Sequence, residues 1–197
     1  MKKAWLVAFN IITLIAWVLF FAHALLHGLS VDEQSIYMLA FAQGLAVFEI
    51  MNSVLGIAGA NWMLTTIQVF SRFLITALLI WIPFETLEAI DASLPITGFA
   101  LISIAWSVTE VVRALYYLAD LFKKEIKAIT YCRYTFFIAL YPTGVLAEFL
   151  VMYAFWKWRE FAFDPLNIAL AVVALSYVIG FPKLYGHMLK QRKKKLS

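Results

Sequence analysis

Six apolar stretches, most of them longer than 20 residues, dominate the chain and leave only short polar segments between them. An α-helix rises about 1.5 Å per residue, so about 20 apolar residues cross the roughly 30 Å hydrocarbon core of a bilayer. Backbone groups find no water there, which restricts such stretches to helices. We therefore predict an all-α polytopic membrane protein with six transmembrane helices. The predicted spans are residues 4–26, 36–59, 62–82, 96–119, 129–153 and 166–187.

The composition fits one membrane domain covering residues 1–197, because no connection is long enough for a second domain. Hydrophobic residues make up 64% of the chain and charged residues 14%, unlike a soluble domain. The net charge of +4 could suggest nucleic acid, but the basic residues lie at the ends of apolar stretches, so we expect no nucleic-acid partner. The single cysteine, Cys132, excludes an internal disulfide and a cysteine-based zinc cluster, and three histidines are too few for the histidine boxes of a di-iron enzyme. We predict no metal.

The lysine clusters predict the topology. Lys2 and Lys3, the cluster at 123–127 and the tail at 190–195 all fall on one side of a six-span bundle, which should be the cytosolic side. Both termini would then be cytosolic. The first span also resembles a secretory signal peptide, and its cleavage would leave five spans.

The end of the chain admits two interpretations. Lys194 and Lys195 stand fourth and third from the end, which matches the dilysine signal for retrieval to the endoplasmic reticulum. An ordinary polybasic tail beside a membrane would look the same. The first interpretation predicts a multi-pass protein of the endoplasmic reticulum membrane.

Six ionisable side chains fall inside the predicted spans, three acidic and three basic. A charge at a helix centre costs about 2.5–3.5 kcal/mol in lipid, so each should face the bundle interior and find a partner. Helix rise places several of them about 15 Å from the cytosolic end, which predicts a polar pocket at mid-depth. The six are Glu49, Arg72, Glu110, Arg113, Arg133 and Glu148, and nearby polar positions are Asn52, Gln68, Ser107 and Tyr117.

The fifth span carries a polar stripe. Tyr134, Tyr141 and Glu148 repeat every seven residues and therefore return to nearly the same helical face. Pro142 should free a carbonyl one turn back, and Gly144 allows another helix or a ligand to approach closely. Tyrosine stripes usually serve packing, but a phenol and a carboxyl group on one buried face can also act as an acid and base pair.

Three motifs on four predicted helices carry a family resemblance. In order, they closely resemble the membrane 3-hydroxyacyl-CoA dehydratases of very-long-chain fatty acid elongation, a family also called protein tyrosine phosphatase-like. The motifs are Phe48-Glu49-Ile50-Met51-Asn52-Ser53-x-Leu55-Gly56 with Gln68-Val69-x-Ser71-Arg72, Trp106-Ser107-Val108-Thr109-Glu110-x-x-Arg113, and Arg133-Tyr134-x-x-Phe137-x-x-Leu140-Tyr141-Pro142-x-Gly144-x-x-x-Glu148.

The resemblance implies an activity and its residues. Members of the family remove water from (3R)-3-hydroxyacyl-CoA to give trans-2-enoyl-CoA, the third step of each elongation cycle. It implies Tyr141 and Glu148 as the catalytic pair, with Glu148 as the base in our hypothesis and the reverse assignment open. It implies no cofactor beyond the coenzyme A of the substrate, and the other elongation enzymes as candidate partners. The surrounding substrate-binding or supporting positions are Glu49, Asn52, Gln68, Arg72, Ser107, Glu110, Arg113, Tyr117, Arg133, Tyr134 and Gly144.

Three other functions compete with this interpretation. A phosphatase needs an arginine six positions after its cysteine, but that position after Cys132 is Ile138, so this chemistry is excluded. An inactive scaffold that binds acyl chains is the main alternative, and the presence of Tyr141 and Glu148 argues against it. A small transporter would also bury charges, but the sequence shows no inverted repeat.

Overall fold

The computed structural model describes residues 2–57, 61–93 and 97–196, without the side chains of Leu64, Asp91 and Ala92. Within those ranges it contains nine α-helices and no strand, which confirms the all-α prediction. The helices are α1 (Lys2–Leu26), α2 (Glu33–Gly44), α3 (Ala46–Val54), α4 (Trp62–Trp81), α5 (Phe84–Ala92), α6 (Gly98–Leu121), α7 (Lys127–Thr135), α8 (Phe137–Trp158) and α9 (Pro165–Leu196).

Five of the described segments are long and apolar enough to cross a membrane: α1, α2 with α3, α6, α8 and α9. The bent pair of α4 and α5 makes a sixth if it counts as one span. The chain is therefore a multi-pass membrane protein with five or six spans. Residues 58–60 and 94–96, where one predicted span ends and another begins, lie outside the described residues. The cytosolic placement of both termini stays a prediction.

Helix boundaries differ from the prediction at several points, including an interruption of the second span at Leu45 between α2 and α3. Most of the predicted polar connection at 83–95 is helix α5, bent by 104° from α4. Pro83 lies at that bend, where it lacks a donor and disfavours helix at the residue before it. The predicted fifth span is interrupted at Phe136, between α7 and α8. The last helix continues through the lysine tail to Leu196 rather than ending near 187.

Three of the helices have a side-chain cap at their N-terminus. The Asp32 carboxylate accepts from the backbone N–H of Ser35 at 2.9 Å, and the Thr97 hydroxyl accepts from Ala100 N–H at 2.9 Å. Asp164 accepts from the N–H groups of Leu166 and Asn167 at the start of α9, with a proline in the first helical position. These contacts satisfy donors that a helix leaves free at its first turn.

Helix α6 lies at the centre of the bundle. It forms the two most extensive helix interfaces, with α1 on one side and α8 on the other. Gly98 at the start of α6 allows the close approach to α8, because a Cβ there would lie 3.1 Å from the backbone nitrogen of Val151. Apolar side chains cover much of the outer surface, as expected for a bundle whose solvent is lipid. The central position of α6 lets it contribute to the polar interior.

Candidate active site

A network of alternating charges occupies the interior of the bundle. Arg113 of α6 donates to Glu49 of α3 through both terminal nitrogens, with Nη1 2.8 Å from Oε2. The same guanidinium pairs with Glu110 one turn earlier, and the other Glu110 oxygen accepts from Arg72 of α4. Glu110 is only 2% exposed, so two cations replace the water that would stabilise its charge. The prediction that these four side chains face the interior and pair is confirmed.

Arg133 has a different environment. Its guanidinium lies over the rings of Tyr116 and Tyr117, 4.5 Å and 4.9 Å from their centroids, and donates to the Tyr117 hydroxyl at 3.3 Å. Tyr134 packs edge-on against Tyr116. These residues form an aromatic cluster between α6 and α7, before the interruption at Phe136. Phe136 keeps right-handed helical dihedral angles, so the face that Tyr134, Tyr141 and Glu148 were predicted to share stays a prediction.

Two of the predicted polar positions lie apart from the charged network. Asn52 is buried and accepts a hydrogen bond from the indole nitrogen of Trp5 at 2.8 Å, which joins α3 to α1. The Gln68 side chain is exposed on α4. Among the described residues, no hydrogen bond joins either side chain to the charged network.

Ser107 and Gly144 lie at the contact between α6 and α8. Ser107 is fully buried. A Cβ built on Gly144 would lie 3.8 Å from the indole nitrogen of Trp106, an ordinary contact distance. The Trp106 indole therefore lies close to α8 at Gly144, on the helix that carries Tyr141.

Tyr141 lies against α9 in a stack of aromatic rings. Its ring is 5.1 Å from that of Phe181 with an angle of 5° between the planes, and 6.3 Å from that of Tyr185. Phe181 and Tyr185 also stack on each other, with centroids 5.5 Å apart. The phenol of Tyr141 is partly exposed rather than sealed in the core.

The backbone carbonyl of Ile138, which Pro142 leaves without its helical donor, accepts a hydrogen bond from α9. Helix α8 continues through Pro142, which cannot donate to the carbonyl of Ile138. The hydroxyl of Tyr185 donates to that carbonyl at 3.2 Å. The predicted unpaired acceptor is thus satisfied by α9, and the same tyrosine stacks on Tyr141.

Glu148 is the second half of the predicted catalytic pair and is 8% exposed. Its carboxyl group faces the Tyr177 hydroxyl, the Trp106 indole and the Arg72 guanidinium. Across the described parts of the chain it forms no ion pair, so its nearest partners are the phenol and the indole rather than a paired cation. Tyr141 lies two turns earlier on the same helix and interacts with Glu148 electrostatically.

Tyr177 of α9 was missed by the sequence analysis. Its hydroxyl points toward Glu148 and Ser71. It reaches hydrogen-bond geometry with no group among the described residues, although it is buried. The available signal was the spacing of Tyr177, Phe181 and Tyr185, which places three aromatic rings on one face of the last helix.

A surface groove lies elsewhere on the bundle, away from Tyr141 and Glu148. It has a volume of about 540 Å³ and runs between α1 and α2, lined by Leu19, Tyr37 and Phe41 among others. The predicted pocket beside Tyr141 and Glu148 is therefore not this groove. The site instead consists of facing side chains from α4, α6, α8 and α9.

This arrangement is suited to proton transfer. A carboxyl group without an ion-pair partner is free to gain or lose a proton, and a partly exposed phenol on the same helix is a second proton carrier. The neighbouring charged network keeps Arg72 in place through Glu110. The site thus places two proton-carrying groups, Glu148 and Tyr141, near the Arg72 guanidinium, which Glu110 holds in position.

The chain is similar to a known protein family over most of its length. The model of the family described as protein tyrosine phosphatase-like protein, PTPLA, matches residues 43–197. Very-long-chain (3R)-3-hydroxyacyl-CoA dehydratase 2 of Mus musculus is 31% identical over 218 aligned residues, which cover 98% of this chain and 81% of that protein. Its Homo sapiens counterpart is also 31% identical, with 100% and 82% covered.

A more distant fungal relative covers both chains almost fully. The probable very-long-chain (3R)-3-hydroxyacyl-CoA dehydratase of Schizosaccharomyces pombe is 26% identical, with 98% of this chain and 93% of that protein covered. No solved structure matches the chain significantly. Because the family model covers well over half of the sequence, the chain belongs to the protein tyrosine phosphatase-like family, PTPLA.

Proposed function

We propose that the chain removes water from very-long-chain (3R)-3-hydroxyacyl-CoA to give trans-2-enoyl-CoA, the third step of the fatty acid elongation cycle. The similar proteins from mouse, human and fission yeast are named as dehydratases of this substrate. The observation that carries the proposal is the pair on α8. Glu148 is buried with no ion-pair partner among the described residues, and Tyr141 lies two turns earlier on the same helix.

Glu148 is the proposed base. Its carboxylate removes the proton from C2 of the acyl chain, next to the thioester carbonyl. As the C2–C3 double bond forms, the C3–O bond breaks and the hydroxyl leaves as water with the proton of Tyr141. Glu148 is then protonated and Tyr141 is a phenolate, and transfer of one proton from the acid to the phenolate restores both. A neutral phenol is a poor base, which favours this assignment over the reverse one.

Arg72 is the proposed stabiliser of the charge that develops on the thioester oxygen. Its guanidinium lies over the Trp106 ring at 5.3 Å and within electrostatic range of Glu148. The pairing with Glu110 holds it in position, which is how a preorganised cation assists a reaction. Gln68 is exposed and Arg133 is stacked on tyrosines, so both are weaker candidates for this role.

The chemistry of the substrate determines which cofactor is needed and where its coenzyme A would lie. Elimination of water involves no oxidation or reduction, so no cofactor is needed beyond the coenzyme A of the substrate. Its phosphates would lie at the lysine-rich side of the bundle, the predicted cytosolic side. Lysines available there are Lys123, Lys124, Lys127, Lys183 and Lys190.

We place the protein in the endoplasmic reticulum membrane, beside the other enzymes of the elongation cycle. The support is the nature of the substrate, which those enzymes produce and consume, and the Lys194 and Lys195 pair is the sequence-based expectation to be tested. Replacing both lysines with alanine in the full-length chain should move the protein to later compartments of the secretory pathway. Unchanged localisation would reduce the pattern to an ordinary basic tail.

The activity is tested with the purified full-length protein in detergent. Incubation with (3R)-3-hydroxyacyl-CoA should produce trans-2-enoyl-CoA, measured by mass spectrometry, whereas the (3S) isomer should react far more slowly. Tyr134→Phe is a matched control for Tyr141→Phe, because Tyr134 lies in the separate aromatic cluster. Absence of product from the folded wild-type protein would favour the inactive scaffold instead.

The roles of the two residues are separated by exchange in heavy water. If Glu148 removes the C2 proton in a step of its own, Tyr141→Phe should retain exchange of the C2 hydrogen while losing dehydration. Glu148→Gln should lose both. The opposite pattern would assign the base to Tyr141.

A further inference from the structure

A cluster of potential metal ligands lies far along the chain from the proposed active site. His23 and His27 stack at the end of α1, with ring centroids 4.2 Å apart. The Nε2 atom of His23 is 3.3 Å from Oδ1 of Asp32. One ligand atom from each of the three side chains lies within 4.8 Å of the other two. The cluster joins the end of α1 to the start of α2.

Local structure explains why the three side chains meet. Two histidines four residues apart share one face of a helix. The chain then reverses at Gly28, whose φ of +66° is in the left-handed region that glycine adopts readily. The carboxylate of Asp32 is held by the backbone N–H and the hydroxyl of Ser35, which is fully buried. Its orientation is therefore set before any ligand binds.

We propose that His23, His27 and Asp32 bind a divalent transition-metal ion of the zinc class. Zinc bonds of about 2.0–2.1 Å in tetrahedral geometry place neighbouring ligand atoms roughly 3.3 Å apart. The His23 to Asp32 separation already has this value. His27 is exposed, so a change of its side-chain rotamer can close the remaining distance. Solvent would occupy the fourth position.

The chemistry of the ligands selects the ion. Two imidazoles and one carboxylate suit zinc, copper or nickel, whereas calcium and magnesium prefer oxygen ligands alone. A simple ion pair accounts for His23 with Asp32, but it leaves the second imidazole, stacked on the first, without a role. The hydrogen bonds from Ser35 to the carboxylate are the kind of supporting contact that orients a metal ligand.

The site would act as a clamp between two helices. Metal bound there ties the end of α1 to the first turn of α2, and binding to the folded chain alone raises its stability. This proposal departs from the sequence-based expectation of no metal. It is independent of the proposed dehydratase reaction, which uses residues of α4, α6, α8 and α9.

The test uses the full-length protein in detergent, purified without a polyhistidine tag and treated with a chelator. Titration with Co²⁺ should give the visible absorption of a low-symmetry cobalt site, saturating at one equivalent, and Zn²⁺ should displace it. Zn²⁺ should also raise the thermal unfolding midpoint. His27→Ala should weaken cobalt binding at least tenfold and abolish the thermal shift.

A matched histidine controls for non-specific binding. His187 is exposed on α9 and pairs with Gln191, so His187→Ala should leave both titrations unchanged. His27→Gln provides a second variant in case His27→Ala perturbs the end of the helix. No saturable cobalt spectrum in the wild-type protein, or equal binding by the wild type and both His27 variants, would overturn the proposal.

Discussion

Glu110 and Glu148 are both buried acids, but only Glu110 forms ion pairs among the described residues. Glu110 on α6 contacts two guanidinium groups, those of Arg72 and Arg113. Glu148 on α8 faces a phenol and an indole, and Arg72 acts on it electrostatically without forming an ion pair in the described chain. Paired charges resist a change of protonation, whereas an unpaired carboxyl group can exchange its proton. The difference teaches that burial of an acid alone does not identify a reactive group.

The two surroundings also assign separate tasks. The Glu110 network links α3, α4 and α6 and keeps Arg72 in place. Glu148 lies where α6, α8 and α9 meet, beside partly exposed Tyr141. Variants of the first group should therefore alter stability most, and variants of the second should alter catalysis most.

Glu148→Gln should have the largest effect. It keeps the shape of the side chain but removes the proposed base, so we expect enoyl-CoA formation to fall about 100- to 10,000-fold. The thermal unfolding midpoint should change little, because no ion pair to Glu148 is lost in the described structure. Near-normal turnover by the folded variant would show that Glu148 is not the base.

Glu110→Gln is the matched change in the paired acid. It leaves Arg72 and Arg113 without a carboxylate they share, and breaking a buried pair in this way typically costs 3–5 kcal/mol. Both arginines are about a quarter exposed, so we expect the lower end, about 3 kcal/mol. Thermal or denaturant unfolding in detergent measures it. If this variant unfolds like the wild type but is inactive, Glu110 has a role in catalysis rather than in stability.

Tyr177→Phe should separate activity from stability. The hydroxyl faces Glu148 but has no hydrogen-bond partner among the described residues, so its removal should leave stability unchanged or slightly higher. If it orients Glu148 during the reaction, kcat should fall by roughly the worth of one hydrogen bond, about tenfold or less. Equal kcat in wild type and variant would limit Tyr177 to packing.

Asp164 provides a third acid, outside the spans. Hydrogen bonds from the N–H of Asn167 and from the side chain of Arg159 lower the pKa of Asp164. Its contribution to stability is therefore present above its unfolded pKa, about 3.9, and is lost as pH falls through the lower folded value. Asp164→Asn should melt slightly below the wild type at pH 7, and the difference should shrink as pH falls below the unfolded pKa of about 3.9. A difference that stays constant throughout acid titration would reject this cause.

Much of the fold was predictable because lipid imposes one simple requirement. Long apolar stretches had to be helices, and interior charges had to be paired, as Glu49, Arg72, Glu110 and Arg113 are. The freed carbonyl before Pro142 was also predictable from the missing proline donor. These predictions follow from rules that act within one helix or on one charge.

The remaining features depend on packing between helices. Arg133 found aromatic rings instead of an acid, and Tyr177 reached Glu148 from a helix whose register no local pattern reveals. Apolar and polar residues are mixed along α5, so this short helix was predicted as a polar connection. Sequence periodicity indicates which face a residue occupies but not which neighbour meets it.

Tyr185 serves two neighbours at once, which gives position 185 an unusual sensitivity. Its hydroxyl completes the backbone of α8 at Ile138, and its ring supports Tyr141. Loss of the hydroxyl alone would reopen a gap in the membrane-embedded backbone, and loss of the ring would also remove the support. Pro142 and Tyr185 should therefore occur together among related sequences, because replacing either one alone would disturb their shared contact at the Ile138 carbonyl.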